Sequence, residues 1–303
     1  MTNEIKLFYS KDWKDYELLD TGEREKLEHV GPYTFVRPSE NEVWSKTLSK
    51  KEWEKIDGKF WSSRAGAKPG WTFSNLPMSD MGKKWEMEYK GIKFLASPTP
   101  FRHLGFFPEQ ASHWDFIDTK IKSADVGHRQ KVKFLNLFGY TGLASLFALR
   151  AGADVTHVDA SKQSLQWAKE NQNLNKDLAD GPMRVIEDDV MKFLVREEKR
   201  GNKYDAVIMD PPKFGRGPKG ETWKIEEMLP SLLAQVKKVL SDKPLFVILT
   251  SYSTDASALT LGYSLEETMK EFEGNIETGE MCVLEKSNNR LISLAHTAVW
   301  QNQ

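Results

Sequence analysis

From Val132 onward the chain alternates short apolar runs with longer segments of helical period, and that alternation restricts it to a parallel sheet covered by helices on both faces. The runs VKFLNLF (132–138), ADVTHVDA (153–160), MRVIEDDV (183–190), YDAVIMD (204–210) and PLFVILTS (244–251) are rich in Val, Ile, Leu and Phe, as doubly covered strands should be. GLASLFALRAG, KQSLQWAKENQNLN, VMKFLVREEKR, KIEEMLPSLLAQVKKVL and SLEETMKEF read as the helices between and after them. The last stretch, ETGEMCVLEKSNNRLISLAHTAVW, reads as two strands joined at Ser287-Asn288-Asn289. The expected fold class is α/β: a Rossmann-like sheet of seven strands, mostly parallel, with an antiparallel hairpin at the edge and a smaller β-rich N-terminal domain.

That division puts the β-rich domain at 1–120 and the sheet domain at 121–303, with the boundary in the polar stretch between Asp118 and Lys131. A chain of 303 residues is long enough for both. The first hundred residues lack a long helical period, carry many short turns such as HVGPY, SRAGAKPGW and EYKGIKF, and hold one short helix between 42 and 57. Seven of the ten tryptophans occur by position 114. With 43 basic against 44 acidic residues there is no global cationic field, so any nucleic-acid contact must be local. The single cysteine, Cys282, excludes an intrachain disulfide and a cysteine-cluster metal site, and the six histidines show no ligand spacing, so no metal is expected. The N-terminus is charged throughout and no apolar run reaches membrane-spanning length, which leads to the expectation of a cytoplasmic protein without membrane contact.

The densest chemistry lies in NLFGYTG and the strand that follows. Gly139 and Gly142 let the chain turn sharply and approach a ligand, and the helix after Gly142 begins with unpaired N–H groups suited to a carboxylate. Asp159 lies twenty residues after Gly139, the spacing at which a strand-end carboxylate accepts the hydroxyls of a ribose. A third glycine for pyrophosphate packing is absent, so the pattern indicates a nucleoside rather than a dinucleotide. The third strand ends in Glu187-Asp188-Asp189; Asp188 or Asp189 can accept from an adenine amine, or cap the helix that starts near Val190. The fourth strand ends in Asp210-Pro211-Pro212-Lys213-Phe214, where two prolines remove backbone donors and stiffen the loop beside the cleft.

NLFGYTG, VDAS, EDDV and DPPKF, in this order and spacing, resemble the motifs of class I S-adenosylmethionine-dependent methyltransferases, specifically the bacterial large-subunit ribosomal RNA methyltransferases of the RlmI and RlmK type. WEMEYKGIKFLASPTPFRHLGFFPEQASHWDFI extends the resemblance upstream, so that it covers roughly 85–303; residues 1–84 match only vaguely. The cofactor implied is S-adenosyl-L-methionine. The candidate cofactor residues are Phe107, Gln110, Asn136, Phe138, Gly139, Tyr140, Thr141, Gly142, Asp159, Ala160, Ser161, Asp188, Asp189, Val190, Asp210 and Pro211. By the resemblance Phe107 and Gln110 line the pocket, Asp159 meets the ribose, Asp189 the adenine and Asp210 the methionine end.

One departure bears on mechanism. Cytosine carbon-5 members of that family carry a cysteine nucleophile after the fifth strand in a Ser-Cys-Ser context, and this chain has Ser251-Tyr252-Ser253 there. Cys282 sits mid-strand and reads as a small buried hydrophobe. Direct attack on the sulfonium methyl by a nitrogen or oxygen is therefore expected, with Asp210, Tyr252 and Lys213 as catalytic candidates. Pro212, Phe214, Arg216, Arg64 and Trp71 are candidate substrate contacts, because the segments around 58–79 and 213–220 interleave cations with aromatic rings or glycines in the manner that suits unpaired bases. The expected partner is RNA, ribosomal or otherwise structured. The alternatives are a small molecule or protein substrate, or a cofactor-binding scaffold without activity, and the sequence does not give the oligomeric state.

Overall fold

The structure, a computed structural model, describes residues 4–62, 68–74, 82–125, 131–178, 181, 183–216, 220–252 and 256–302. It forms two compact units, one of Met1–Phe8, Gln110–Met281 and Ser293–Gln303, the other of Tyr9–Glu109 and Cys282–Ile292.

The first unit is built on an eight-stranded sheet. Its strands are β1 (Ile5–Phe8), β9 (Lys133–Leu137), β10 (Asp154–Asp159), β11 (Arg184–Glu187), β12 (Ala206–Met209), β15 (Phe246–Ser251), β16 (Asn275–Leu284) and β17 (Leu291–Gln301). They lie in the order β1-β16-β17-β15-β12-β9-β10-β11. The β9, β10, β11, β12 and β15 ladder is parallel, and β17 runs antiparallel to β15. All seven expected strands are present, and β1 pairs in parallel with β16 as an eighth at the edge. Side-chain alternation divides the core: Leu135, Leu137, Val207, Met209, Val247 and Leu249 pack on one face, Phe134, Ala206, Ile208, Phe246 and Ile248 on the other.

The helices of this unit are α2 (Ala111–Asp125), α3 (Leu143–Arg150), α4 (Lys162–Leu174), α5 (Val190–Lys199), α6 (Ile225–Val239) and α7 (Ala258–Met269). Polar side chains start three of them: Ser161 accepts from the Ser164 amide at 3.2 Å, Asp189 from Lys192 at 2.9 Å and Ser257 from Thr260 at 3.3 Å. The stretch expected to be a polar boundary is instead helical through Asp125. Ala111, Trp114, Ile117 and Ile121, at intervals of three, three and four, are buried as one stripe joined by the buried His113, while Ser112, Asp115, Asp118, Thr119 and Lys120 are half-buried or exposed. A short antiparallel pair, β13 (Phe214–Arg216) and β14 (Thr222–Lys224), occupies what reads as loop after Asp-Pro-Pro. No helix among the described residues is long and apolar enough to cross a membrane.

The second unit contains β2 (Tyr16–Gly22), β3 (Glu25–Val30), β4 (Tyr33–Pro38), α1 (Lys50–Trp53), β5 (Gly58–Trp61), β6 (Gly70–Phe73), β7 (Trp85–Tyr89) and β8 (Ile92–Ala96). Strands β2 to β6 form one sheet in sequence order and β7 with β8 a separate hairpin. The hairpin turns on Lys90 and Gly91, both at positive φ, as a two-residue turn of this hand requires. The tryptophans serve packing: Trp13 lies against Tyr89, Phe94 and Phe106, and Trp85 against Tyr33 and Phe35.

Candidate functional site

The centre of the parallel sheet is where a cleft is expected, because the connection from β9 runs to β10 on one side while that from the neighbouring β12 runs to β15 on the other. The turn after β9 holds two aromatic residues in left-handed conformation, Phe138 at φ 58° and Tyr140 at φ 51°, followed by Gly142 at φ 87°. Such geometry persists only where surrounding contacts impose it. The Gly139 amide donates to the Val158 carbonyl at 3.0 Å and the Gly142 amide to that of Gly139 at 3.1 Å. Gly139 is required for a separate reason: a Cβ there would stand 2.3 Å from the His157 ring. That ring is fully buried, and burial pulls its pKa down to about 4, so it is neutral. Its Nδ1 lies 3.0 Å from the Ser145 hydroxyl, which accepts from the Asn136 amide at 2.9 Å. Asn136 thus braces the turn from beneath.

Asp159 closes the other side of the turn. One carboxylate oxygen accepts the Tyr140 amide at 2.8 Å and the other the Ser161 amide at 2.8 Å. Burial raises its pKa above the ordinary aspartate value, and the backbone donors from Ser161, Tyr140 and Ala160 oppose that rise. Thr141 is buried, and its carbonyl accepts from Asn171 at 2.9 Å.

At the end of β11, Asp188 and Asp189 both serve α5. Asp189 caps it, while Asp188 accepts the Asp189 amide at 3.0 Å and pairs with Arg196. Val190 is part of the apolar core.

The ends of β12 and β15 meet at Gln110. Its amide nitrogen donates to Asp210 at 3.2 Å and to the Tyr252 hydroxyl at 3.1 Å, while the Asp210 amide donates to the Leu137 carbonyl at 3.4 Å. The backbone from Leu137 to Tyr140 therefore connects two hydrogen-bonded groups, Asp159 at one end and Asp210 with Gln110 and Tyr252 at the other. Pro211 is buried and Pro212 exposed. The Pro212 carbonyl accepts the Trp223 indole N–H at 2.6 Å, and that of Lys213 accepts the Ile225 amide at 3.1 Å, which pins the Asp-Pro-Pro loop. Lys213 is exposed and Phe214 is 55% exposed; Arg216 continues β13.

Phe107 and Trp71 belong to the second unit. Phe107 has its ring centroid 5.0 Å from that of His103, and the Trp71 indole donates to the carbonyls of Thr99 at 2.8 Å and Phe101 at 3.0 Å. Arg64 lies outside the described residues. Ser145, His157, His113 and Thr297, absent from the sequence candidates, are buried polar residues beneath or behind the site. Among the described residues no group of three or more His, Cys, Asp or Glu side chains could hold a metal.

A parallel sheet carrying a glycine turn and a strand-end carboxylate at its switch point defines the class: an α/β protein with a nucleoside site. No protein-family model matches the chain. A solved structure described as a SAM-dependent methyltransferase from Agrobacterium tumefaciens is 39% identical, with a TM-score of 0.88, and the match covers 98% of this chain and 94% of that one. A ribosomal RNA large subunit methyltransferase K/L from Alteromonas mediterranea is 30% identical over 200 residues, 64% of this chain and 27% of that protein. Another of the same description, from Hahella chejuensis, is 42% identical over 140 residues, 46% of this chain and 18% of that protein. The chain thus spans about a quarter or less of the length of these curated relatives. On the full-length match, the chain belongs to the S-adenosylmethionine-dependent methyltransferases.

Proposed function

We propose that the sheet unit binds S-adenosylmethionine at the ends of β9, β10 and β12 and methylates a nitrogen or oxygen of a base in structured RNA, with ribosomal RNA the first candidate. The observation that carries the site is the junction of Asp210 and Tyr252 on Gln110, which the Asp210 amide ties to Leu137 at the entry of the turn that Asp159 holds. The residues fit the cofactor. The Asp159 oxygens hold backbone N–H groups of Tyr140, Ala160 and Ser161 and, with about four lone-pair sites, retain acceptor capacity for a ribose hydroxyl. The first turn of α3 offers N–H groups to the carboxylate of the methionine portion.

When bound, S-adenosylmethionine supplies a methyl group on a sulfonium. The chain's own residues position the acceptor. The Asp-Pro-Pro loop, held by Trp223 and Ile225, keeps a planar base from drifting, and in-line placement accounts for most of the acceleration. Asp210 accepts a hydrogen bond from the acceptor's proton, and the Phe214 ring offers a face for stacking. Tyr252 stands where carbon-5 chemistry needs a cysteine, so no covalent adduct forms. RNA is favoured by the names of the curated relatives and by the exposed Lys213 and Phe214. A ribosomal substrate puts the site of action in the cytoplasm.

Tritium transfer from labelled S-adenosylmethionine to undermethylated ribosomal RNA, compared with protein and metabolite fractions, tests this reading. Label in RNA alone supports it, label in another fraction reassigns the substrate, and no label in any fraction leaves a scaffold. Asp210→Ala is expected to lower transfer about a hundredfold or more while the Kd for S-adenosylhomocysteine changes little. Retained turnover removes the role given to Asp210.

A further inference from the structure

Behind Gln110 lies a buried polar chain that no site role has absorbed. The Gln110 amide oxygen is 3.1 Å from His113 Nδ1. His113 Nε2 is 3.2 Å from the Thr297 hydroxyl, which is 3.1 Å from the Leu249 carbonyl. His113 is 1% exposed and Thr297 fully buried. A polar chain this deep on α2, β15 and β17 is costly unless each donor meets an acceptor, so its direction is constrained.

The direction follows from its outer end. An ionised carboxylate only accepts, so Gln110 must present its NH₂ group to Asp210. Its oxygen then faces His113, and Nδ1 must carry the proton that this oxygen accepts. Burial holds the His113 pKa down at about 3, so the ring is neutral and bears one N–H. Nε2 is therefore an acceptor, and the single Thr297 hydroxyl proton, which faces both Nε2 at 3.2 Å and the Leu249 carbonyl at 3.1 Å, serves these two acceptors. Thr250 Oγ1, 3.5 Å from Thr297 Oγ1, supplies a further hydroxyl at the inner end.

We infer that His113, fixed as its Nδ1–H tautomer by Thr297, is a positioning residue that locks the Gln110 amide so that one nitrogen bridges Asp210 and Tyr252. Without His113 the amide can turn over, placing its oxygen against the Asp210 carboxylate, and the two acceptors repel. The Tyr252 hydroxyl, accepting a hydrogen bond from the Gln110 amide, is oriented to donate its own elsewhere. His113 acts through Gln110, the residue that its Nδ1 faces. The inference rests on Asp210 and Tyr252 forming the transfer site.

Nitrogen-15 NMR of histidine-labelled wild-type protein, with the His113 resonances identified by their loss in His113→Phe, reads the tautomer directly. A protonated Nδ1 is expected; a protonated Nε2 overturns the inference whatever the substrate proves to be. Thr297→Val, nearly isosteric, is expected to lower kcat for labelled transfer to undermethylated ribosomal RNA about tenfold, the effect of one lost positioning hydrogen bond. The Kd for S-adenosylhomocysteine should stay within about threefold, and Thr297→Ser should restore the rate. Wild-type transfer unaffected by Thr297→Val overturns the inference. Absence of wild-type transfer, with the Nδ1–H tautomer found, instead overturns the transfer reading and leaves the locked amide standing.

Discussion

In the β-rich unit Glu28 is fully buried and surrounded by donors, whereas in the sheet unit the half-buried Asp159 meets only backbone amides. Glu28 accepts from the Tyr16 hydroxyl at 2.7 Å and from Arg37 at 2.7 and 2.9 Å, with Lys26 at 3.1 Å. Burial alone would raise its pKa, but Arg37 and Lys26 outweigh burial and hold it at about 2. Asp159 has no cation to do this, so burial wins and its pKa moves up. A carboxylate matched on every side stabilises structure and has little capacity left for a ligand. One supported only by the backbone bears a cost that a ligand's hydroxyls can relieve.

The widest separation between the two is expected from Glu28→Gln. It leaves Lys26 and Arg37 buried with Glu109 as the remaining carboxylate acting on them, and denaturant unfolding of the intact chain should show a loss of about 3–5 kcal/mol. The Kd for S-adenosylhomocysteine, measured under conditions where the variant stays folded, should not change. A loss below about 1 kcal/mol would mean that water reaches the cluster and that the contrast is overstated.

Asp159→Asn should do the reverse. Asparagine cannot accept both the Tyr140 and Ser161 amides, which destabilises, but it also removes a charge that burial disfavours. Stability is expected to change by less than about 1 kcal/mol, while the Kd for S-adenosylhomocysteine rises about tenfold to a hundredfold from lost charge-assisted hydrogen bonds. The same carboxyl sets a pH signature. Because its folded pKa is raised, the folded protein takes up this proton before the unfolded chain does, so this group adds stability as pH falls. The ribose acceptor is lost over the same range, and affinity should begin to fall above pH 3.8, the ordinary aspartate value. Glu28, with its folded pKa depressed, acts oppositely: its stabilisation is complete above about 4.5 and is lost as pH falls toward about 2. Calorimetric titration resolves both, and affinity that is flat down to pH 3.8 would detach Asp159 from the ribose.

The contrast also marks what was legible in the sequence. Gly139 and Asp159 were readable because strand, turn and helix are contiguous, and twenty residues separate the two halves of the site. The sheet strands were readable for the same reason, since burial on both faces forces long apolar runs. β1 was not: Ile5–Phe8 is short, mostly exposed, and pairs with residues 278–281 far along the chain. The stripe of α2 was present in the spacing of Ala111, Trp114, Ile117 and Ile121 but hidden by the polar residues between. Gln110 entered only through resemblance. The His113–Thr297 contact spans 184 positions, and neither residue type nor spacing announces it. Glu285 behaves similarly: it groups with the β-rich unit, accepting from Thr21 at 2.5 Å and Arg290 at 2.8 Å, although it directly follows β16 of the sheet. Pairing across the chain is fixed by packing, and a linear reading captures it only where a local motif accompanies it.

The smallest expected effect concerns a residue that neither unit needs for stability. Phe214 is 55% exposed at the start of β13, where the neighbouring backbone is already held by Trp223 and Ile225. Truncating an exposed ring removes little buried area, so Phe214→Ala should alter stability by no more than about 0.5 kcal/mol. If the ring stacks on a base, the KM for undermethylated ribosomal RNA should rise several-fold, corresponding to about 1 kcal/mol, the low end for base stacking, because only one face is offered. Phe214→Tyr should retain wild-type KM. Equal KM in the Ala and Tyr variants would show that this aromatic, unlike the carboxylate of Asp159, is exposed without serving a ligand.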